Sequence, residues 1–163
     1  MKIEIEKSND FNPEDISKFI EKIFQESISS MYDEIGNLEF KNYISSYKLK
    51  ERCNEQELYN FFILKNFSQT IGFMELRKFF HISLLFIHNN YQRQGYGKRL
   101  INRAVEIANE NNLYEITLNS SPNSLNAYKK IGFEQLSNEK MINGIRFYEM
   151  KLYTENWKKI SSL

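Results

Sequence analysis

The chain has 163 residues, a formal net charge of +1, 41% hydrophobic residues and 15% aromatic residues. This length predicts one domain over residues 1–163 that is large enough to bury a core. The near-neutral charge gives no sign of the basic surface typical of nucleic-acid binding, and no apolar run approaches the ~20 residues of a membrane span. Cys53 is the only cysteine and the N-terminal segment has no apolar signal-peptide core, so we expect a cytoplasmic protein without a disulfide.

The first part of the chain predicts one strand followed by two helices. Residues 2–7 alternate apolar and charged side chains, which is typical of a half-buried strand. An Asn-Pro pair at residues 12–13 is a helix-start signal, and apolar residues at helical spacing follow over residues 16–24. A serine-rich patch and Gly36 are expected to break this pattern, and a second helix is predicted over residues 38–50.

Three consecutive strands are predicted next. The segments 57–65, 70–77 and 81–87 are rich in β-branched and aromatic residues, and short turn signals separate them. Neighbouring strands joined by tight turns pair in antiparallel fashion, so this region predicts a three-stranded meander.

The last third predicts alternating helices and strands. A helix over 97–110 leads to a strand over 115–119, which the helical crossover makes parallel to the strand before it. A helix over 124–131 precedes another strand, and an Asn-Gly turn at 143–144 predicts a closing hairpin that ends with a strand over 145–153. The element order is therefore β-α-α-β-β-β-α-β-α-β-β, an α+β (mixed α/β) fold.

The segment from Tyr91 to Lys98 joins the third meander strand to a strongly amphipathic helix. The first turn of a helix leaves backbone N–H groups unpaired, and the helix dipole is positive there. Gly95 and Gly97 lack a β-carbon, so a bulky diphosphate can approach these amides, and Arg93 adds positive charge nearby. We interpret this turn as a pyrophosphate-binding loop.

Spacing excludes two common phosphate-binding loops. A P-loop requires a glycine five residues before its Gly-Lys pair and Ser or Thr after it, where this chain has Gln92 and Arg99. The dinucleotide-binding pattern requires a third glycine where this chain has Leu100. The remaining pattern, Gln92-x-x-Gly95-x-Gly97, resembles the acetyl-CoA loop of the GNAT superfamily of N-acetyltransferases.

Two further segments carry the same resemblance. Residues 121–133, which end in Tyr-Lys-Lys-Ile-Gly-Phe, are similar to the Tyr-x-Lys-Leu-Gly-Phe segment of that superfamily, and residues 144–150 are similar to its final strand. The element order matches as well, so the resemblance covers nearly the whole chain. It implies the GNAT acyl-CoA N-acyltransferase fold, with a central mixed, mostly antiparallel sheet flanked by helices.

The resemblance also implies a cosubstrate, acetyl-CoA, whose pantetheine arm lies between two strands that splay apart. No metal is expected, because the two histidines have no Cys or acidic pattern around them. The residues that the resemblance assigns to cofactor binding, through backbone groups for the first three, are Phe86, Ile87, His88, Gln92, Arg93, Gln94, Gly95, Tyr96, Gly97, Lys98 and Asn119.

For catalysis, the resemblance points to Tyr128 and Glu75. It implies that Tyr128 lies beside the sulfur of coenzyme A, where a phenol of pKa ~10 stays protonated and can donate to the departing thiolate. Packing of its ring in the core is the alternative. Glu75 is the first candidate for the base that deprotonates the amine, and His81 is the second; an ordered water chain without a dedicated base is also open.

The expected function is direct transfer of an acetyl group from acetyl-CoA to a primary amine through a tetrahedral intermediate. The many Phe and Tyr residues before Leu64 favour a small-molecule acceptor. The alternatives are a protein or peptide acetyltransferase and a catalytically silent acyl-CoA-binding or regulatory module. The expected partner is an amine-bearing acceptor, with no nucleic acid and no membrane. A homodimer formed through the closing hairpin is left open.

Overall fold

The computed structural model describes residues 3–161, and the sheet that it contains is mixed and mostly antiparallel. Lys2, which the alternating pattern included in the first strand, lies outside the described residues. The strands are β1 (Ile3–Lys7), β2 (Tyr59–Asn66), β3 (Gln69–Arg77), β4 (His81–Ile87), β5 (Glu115–Ser120), β6 (Glu134–Gln135), β7 (Lys140–Ile142) and β8 (Ile145–Tyr153). The helices are α1 (Pro13–Ser27), α2 (Glu34–Tyr43), α3 (Ser46–Cys53), α4 (Tyr96–Glu110), α5 (Leu125–Lys130) and α6 (Thr154–Ser161).

The strands lie side by side in the order β1-β2-β3-β4-β5-β8-β6, and β7 also pairs with β8. Within this described sheet, β4 and β5 form the one parallel pair. The helical crossover through α4 causes this exception, because a connection of that length returns the chain in the same direction. The predicted fold class is confirmed.

The parallel pair comes apart soon after it begins. His81 lies opposite Thr117 and Ile82 lies opposite Leu118, and no further positions of β4 and β5 pair. The remaining part of β4 keeps its partner β3 on one side but has none on the other. A gap between β4 and β5 therefore opens toward their C-terminal ends, in agreement with the splayed strands that the sequence resemblance implies.

Helices cover both faces of the sheet. On one face, α4 buries an apolar stripe at helical spacing, as predicted, together with Trp157 of α6. On the other face, α1 contributes the fully buried Phe24 and α2 the partly buried Phe40, and their rings stack with centroids 4.3 Å apart. Each fully buried large apolar side chain contributes roughly 1.5–3 kcal/mol, so these two layers carry much of the stability of the fold.

An extra residue in β4 distorts the sheet beside the gap. Glu75 of β3 lies opposite Leu84, whereas the next residue, Leu76, lies opposite Ile82, so Ser83 has no partner of its own. In a regular strand Ile82 and Leu84 would share a face, yet Ile82 packs in the α4 core and Leu84 in the α1–α3 core. Ser83 therefore forms a β-bulge, a feature that the sequence pattern did not indicate.

The helix predicted over residues 38–50 was wrong, because two helices occupy this region. Ser45 divides the predicted helix because it is the N-cap of α3, where its side-chain oxygen accepts from the Lys48 N–H at 3.3 Å. Gly36 was also expected to break the chain, but it lies inside α2. A β-carbon there would overlap the Gly144 carbonyl oxygen, so this glycine serves close backbone packing.

The C-terminal helix α6 was not predicted. Its sequence is short and mostly polar, and Trp157 provides its buried contact, with the indole Nε1–H donating to Asn102 Oδ1 at 2.8 Å. The predicted Asn-Gly hairpin turn is confirmed, since Asn143 and Gly144 both have positive φ, 49° and 76°. Tertiary contacts thus specify α6, whereas local chemistry specifies the turn.

Candidate active site

A groove of about 640 Å³ runs along the free side of β4, between the start of α4 and α5. It joins a smaller cavity of about 100 Å³ that lies within the gap between β4 and β5. Phe86 and Tyr128 line both spaces, so the two lie directly beside each other. The groove and the gap therefore form one extended site, open at the helix end and narrow at the sheet end.

Free backbone amides line the helix end of this site. Gly95 precedes α4 in a left-handed conformation, and no side chain caps the helix. Within residues 3–161, the N–H groups of residues 93–98 donate to no other backbone or side-chain group. Unpaired N–H groups at the positive end of a helix are a binding site for an anion.

The space above both glycines of this turn is open. A β-carbon at Gly95 would meet nothing within 4 Å, and one at Gly97 would meet only Ile87 Cγ1, at 4.0 Å. Gly95 also has φ of +85°, which an L residue rarely adopts. The turn can accept a bulky diphosphate, because no side chain of the described chain blocks it.

The side chains of two glutamines form hydrogen bonds within the loop. Gln92 Nε2 donates to the Ile87 carbonyl at 3.0 Å and to Asn89 Oδ1 at 2.9 Å. Gln94 Nε2 donates to the Asn90 carbonyl at 2.9 Å. These bonds use both N–H donors of the Gln92 amide but only one of the two donors of the Gln94 amide. Gln92 therefore acts mainly on the shape of the loop, while Gln94 keeps one side-chain N–H and its backbone N–H for the predicted cofactor contact.

The remaining predicted loop residues divide by exposure. Tyr96 is the first residue of α4 and its side chain is buried in the core, so its free group is the backbone N–H. Arg93 and Lys98 are exposed and line the groove, and Arg93 has positive φ of 59°. Their cationic side chains can therefore reach an anion held at the turn.

The hydrogen bonds of β4 show that the expectation for its backbone was partly wrong: not all of the three residues predicted to face the pantetheine arm do so. The His88 N–H donates to the Ile71 carbonyl at 2.9 Å, so it points toward β3. Alternate residues of an antiparallel strand direct their N–H and C=O groups to the same side, so Phe86 also faces β3. Ile87 and Leu85 face the gap instead. Leu85 was missed because the apolar pattern of a strand does not show which residues direct their backbone N–H and C=O groups to which neighbouring strand.

Polar side chains from β5 and α5 face the same gap. Asn119, near the end of β5, lines the narrow cavity as expected. Tyr128 is half-buried between groove and cavity, and its ring makes an edge contact with Phe133 at 5.5 Å between centroids. Within the described residues its hydroxyl has no hydrogen-bond partner, and burial raises the pKa of Tyr128 to about 12. It therefore presents a protonated phenol with a free donor.

Glu75 is fully buried and does not line the cavity. Its Oε2 accepts from Arg52 Nε at 2.8 Å, and its Oε1 accepts from the Tyr43 hydroxyl at 2.6 Å. Burial raises the pKa of the Glu75 carboxyl, although Arg52 and these hydrogen bonds favour the charged form. Direct contact between this carboxylate and an acceptor is therefore blocked by neighbouring side chains.

His81, the second candidate base, also lies outside both spaces. Its Nδ1 is 2.8 Å from Thr117 Oγ1, where β4 and β5 are still paired. Burial and the nearby Arg77 lower the pKa of His81 to about 4. The imidazole is consequently neutral near pH 7 and forms part of the closed end of the sheet.

Sequence reasoning missed Tyr43 and Arg52, which enclose Glu75. The Arg52 side chain is buried, its Nη1 donates to the Tyr43 carbonyl at 3.0 Å, and its guanidinium lies 4.1 Å from the centre of the Tyr43 ring. Spacing could not indicate this cluster, because α3 brings Arg52 to a strand that lies 23 positions further along the chain.

Uncharged side chains line the narrow cavity. Aliphatic side chains, aromatic rings and small hydroxyl groups make up most of the lining, and within residues 3–161 it has no acidic or basic lining residue. The aromatic members are Tyr32, Phe40, Phe86 and Tyr128, and the hydroxyl-bearing members besides tyrosines are Ser83, Ser121 and Ser124. The cavity favours an uncharged, compact group, because an unpaired charge is costly to desolvate.

Neither a metal site nor a membrane span is present in the part of the chain that the structure describes. No three His, Cys, Asp or Glu side chains there are arranged to hold a metal ion. No helix over residues 3–161 has the length and apolar character needed to cross a bilayer.

Comparisons with known proteins agree with this geometry. The family model described as acetyltransferase (GNAT) domain matches residues 8–154. A GCN5-related N-acetyltransferase from Rhodopseudomonas palustris superposes with a TM-score of 0.79 at 17% identity, covering 94% of this chain and 96% of that one. PaiA N-acetyltransferase from Thermoplasma acidophilum, solved in complex with coenzyme A, superposes with a TM-score of 0.75 at 21% identity, and the match covers 94% of this chain and 99% of that one. A chimeric spermidine N-acetyltransferase SpeG from Vibrio cholerae and hSSAT superposes with a TM-score of 0.63 at 18% identity, and the match covers 98% of this chain and 99% of that one.

Proposed function

Because the chain belongs to the acetyltransferase (GNAT) domain family, we propose that it transfers the acetyl group of acetyl-CoA to a small primary amine. The observation that carries this proposal is the combination of free amides at residues 93–98 with the unpaired edge of β4 beyond Ile82. The first suits a diphosphate and the second suits an extended, amide-bearing arm. Both lie along one continuous groove.

The acyl donor would lie with its diphosphate at the turn and its arm along β4. Arg93 and Lys98 would add charge-assisted contacts to the phosphates. Ile87 and Leu85 would pair with the amide groups of the arm, and Asn119 would face it from β5. A structural neighbour solved in complex with coenzyme A has the same fold, which supports the choice of donor.

Tyr128 would assist departure of the thiolate. The neutral amine attacks the thioester carbon, and a tetrahedral oxyanion forms and then collapses with loss of the sulfur. Tyr128 would donate its free O–H to that sulfur and recover a proton from the attacking nitrogen. A raised pKa keeps the phenol protonated throughout the neutral range.

The uncharged cavity favours an acceptor with a single amine and an apolar body. A polyamine carries a second ammonium group that would need an acidic partner, and the cavity has none among the described residues. The aromatic rings around it can instead contact an apolar substituent. One structural neighbour is named as a spermidine N-acetyltransferase, so this distinction separates our proposal from that activity.

A turnover screen tests the proposal. Purified protein is incubated with acetyl-CoA and amines of several classes, and release of free thiol is measured together with mass spectrometry of the acetylated product. Compact apolar monoamines are expected to be acetylated, with a higher kcat/KM than spermidine. Acetylation of protein lysines alone would favour the protein acetyltransferase alternative, and binding of coenzyme A without any transfer would favour the silent module. Cytoplasmic location and a single-domain chain remain predictions, and a homodimer is left open.

A further inference from the structure

A separate cavity of about 430 Å³ lies on the other side of α4 from the groove. Ile101 lines the groove, whereas the next residue, Asn102, lines this cavity, and neighbouring positions of a helix point about 100° apart. Ile5 of β1 and Trp157 of α6 form its apolar floor. Tyr128 lines the groove but not this cavity, so the cavity has no part in the acetyl transfer proposed above.

Hydrogen bonds hold one rim of this cavity in a fixed arrangement. The Trp157 Nε1–H donates to Asn102 Oδ1 at 2.8 Å, and Asn102 Nδ2 donates to Glu106 Oε1 at 2.8 Å. Arg103 Nη1 donates to Glu106 Oε2 at 2.6 Å, and it also lies 4.0 Å from Glu110 Oε1, outside the cavity. The Glu106 carboxylate is therefore paired, and α4 and α6 are joined at this rim.

The opposite rim carries positive charge without an acidic partner. Lys98 and Arg99 are exposed there, and neither forms an ion pair with a carboxylate within residues 3–161. Arg99 Nη2 donates to the Ile3 carbonyl at 3.4 Å, which keeps the side chain beside the cavity and leaves most of its guanidinium donors open. Among the described lining residues three are cationic and one is acidic, so the lining has an excess of positive charge.

This lining suits an anion that has an apolar body. Guanidinium groups bind phosphate oxygens through paired N–H donors, and an ammonium group adds a point charge. The apolar floor can remove a hydrocarbon substituent from water. We propose that the cavity binds a second ligand, a small organic phosphate with an apolar substituent, and that this ligand weakens the binding of coenzyme A.

Lys98 connects the two sites, because its side chain lines both the cavity and the groove. One ammonium group cannot serve two phosphates fully, and two anions near the positive end of α4 repel each other. The effect is reciprocal, since each ligand changes the affinity of the other by the same factor. Each phosphate therefore weakens the other without excluding it.

Fluorescence of Trp157 tests the proposal, because this residue is the only tryptophan of the chain. The probe is phenyl phosphate, and the comparison ligands are phenol, which lacks the phosphate, and inorganic phosphate, which lacks the ring. Arg103→Gln removes a cation and leaves Glu106 unpaired at the rim, whereas Glu106→Gln removes the carboxylate. Lys130→Gln is the matched control, because it removes an exposed cation of α5 that does not line the cavity.

Phenyl phosphate is expected to change the fluorescence saturably and to bind more tightly than either comparison ligand. Arg103→Gln should raise its Kd by roughly tenfold and Glu106→Gln should lower it, while Lys130→Gln should leave it unchanged. No saturable change, or equal effects of Arg103→Gln and Lys130→Gln, would overturn the site.

Competition with coenzyme A tests the coupling. Coenzyme A and dephospho-coenzyme A, which both carry the diphosphate, should each raise the Kd of phenyl phosphate by about fivefold and then reach a plateau. Displacement by coenzyme A but not by dephospho-coenzyme A would assign the cavity to the ribose phosphate of the cosubstrate and overturn a second ligand. Absence of any coenzyme A binding would overturn the proposed function and the coupling, while the phenyl phosphate titration would still decide whether the cavity is a site.

Discussion

Gly36 and Gly144 touch through their backbones, so the start of α2 rests directly on the turn between β7 and β8. The Gly36 N–H is also capped by Asp33 Oδ1 at 2.7 Å. This contact fixes α2, which carries Phe40 into the narrow cavity and Tyr43 to Glu75. A packing contact between two glycines thus positions one wall of the candidate site.

Replacement of Gly36 by alanine is expected to displace α2. The added β-carbon would overlap the Gly144 carbonyl oxygen, and relief of such overpacking typically costs about 1–3 kcal/mol of unfolding free energy. Urea unfolding measures the loss, and KM for the amine should rise because Phe40 moves with the helix. Leu38→Ala, at a 63% exposed position of the same helix, is the control. Equal stability of both variants would contradict this packing role.

The substitution Gly97→Val is expected to abolish tight binding of coenzyme A without unfolding the protein. Open space surrounds the β-carbon position of Gly97, so the fold tolerates the side chain while the anion site does not. Isothermal titration should show at least a tenfold rise in Kd, about 1.4 kcal/mol. Asn109→Val places the same β-branched residue at an exposed position near the other end of α4. Unchanged affinity in Gly97→Val would exclude the turn as the diphosphate site.

Tyr128→Phe is expected to lower kcat by at least tenfold, about 1.4 kcal/mol of transition-state stabilisation, with little change in the Kd for acetyl-CoA. The hydroxyl has no partner within the described chain, so its removal should not disturb packing. Because burial raises the pKa of Tyr128 to about 12, kcat should not decline from ionisation of this group below about pH 11. Tyr114→Phe, at a 75% exposed position, is the control. A kcat equal to that of the wild type would remove Tyr128 from the mechanism.

His81→Asn is expected to reduce the acid sensitivity of the fold. The pKa of His81 is about 4 in the folded chain and near 6.5 when unfolded, so the unfolded chain binds more protons between these values. Stability therefore falls as the pH drops from 6.5 to 4, by up to about 3 kcal/mol from this group. Asparagine can keep a hydrogen bond to Thr117 Oγ1 but does not titrate. The difference in unfolding free energy between pH 7 and pH 4.5 should be smaller in the variant; an identical difference would contradict the assignment.

Much of the fold could be predicted because local chemistry determines it. The β-branched and aromatic residues and the flanking turns predicted the observed bounds of β4, His81–Ile87, and the Asn-Pro signal predicted the start of α1 at Pro13. The open turn at Gly95 could also be anticipated, since a glycine before an amphipathic helix leaves the same free amides in any fold.

The missed features depend on contacts between distant segments. The Ser83 bulge, the division between α2 and α3 and the burial of Arg52 each require a partner from another element. Glu75 illustrates the difference best, because its position on β3 was predictable whereas its enclosure by Tyr43 and Arg52 was not. Side-chain partners set the chemistry of such a group, and the residue type alone does not.

The most direct test of the central claim is an amide NMR titration of the wild-type chain with coenzyme A. We predict that the largest shifts fall on the N–H groups of residues 93–98 and on Leu85 and Ile87 of β4. These are the backbone groups of the open turn and of the unpaired strand edge. Saturable binding whose shifts lie elsewhere, or no binding at millimolar coenzyme A, would contradict the proposed acetyltransferase site.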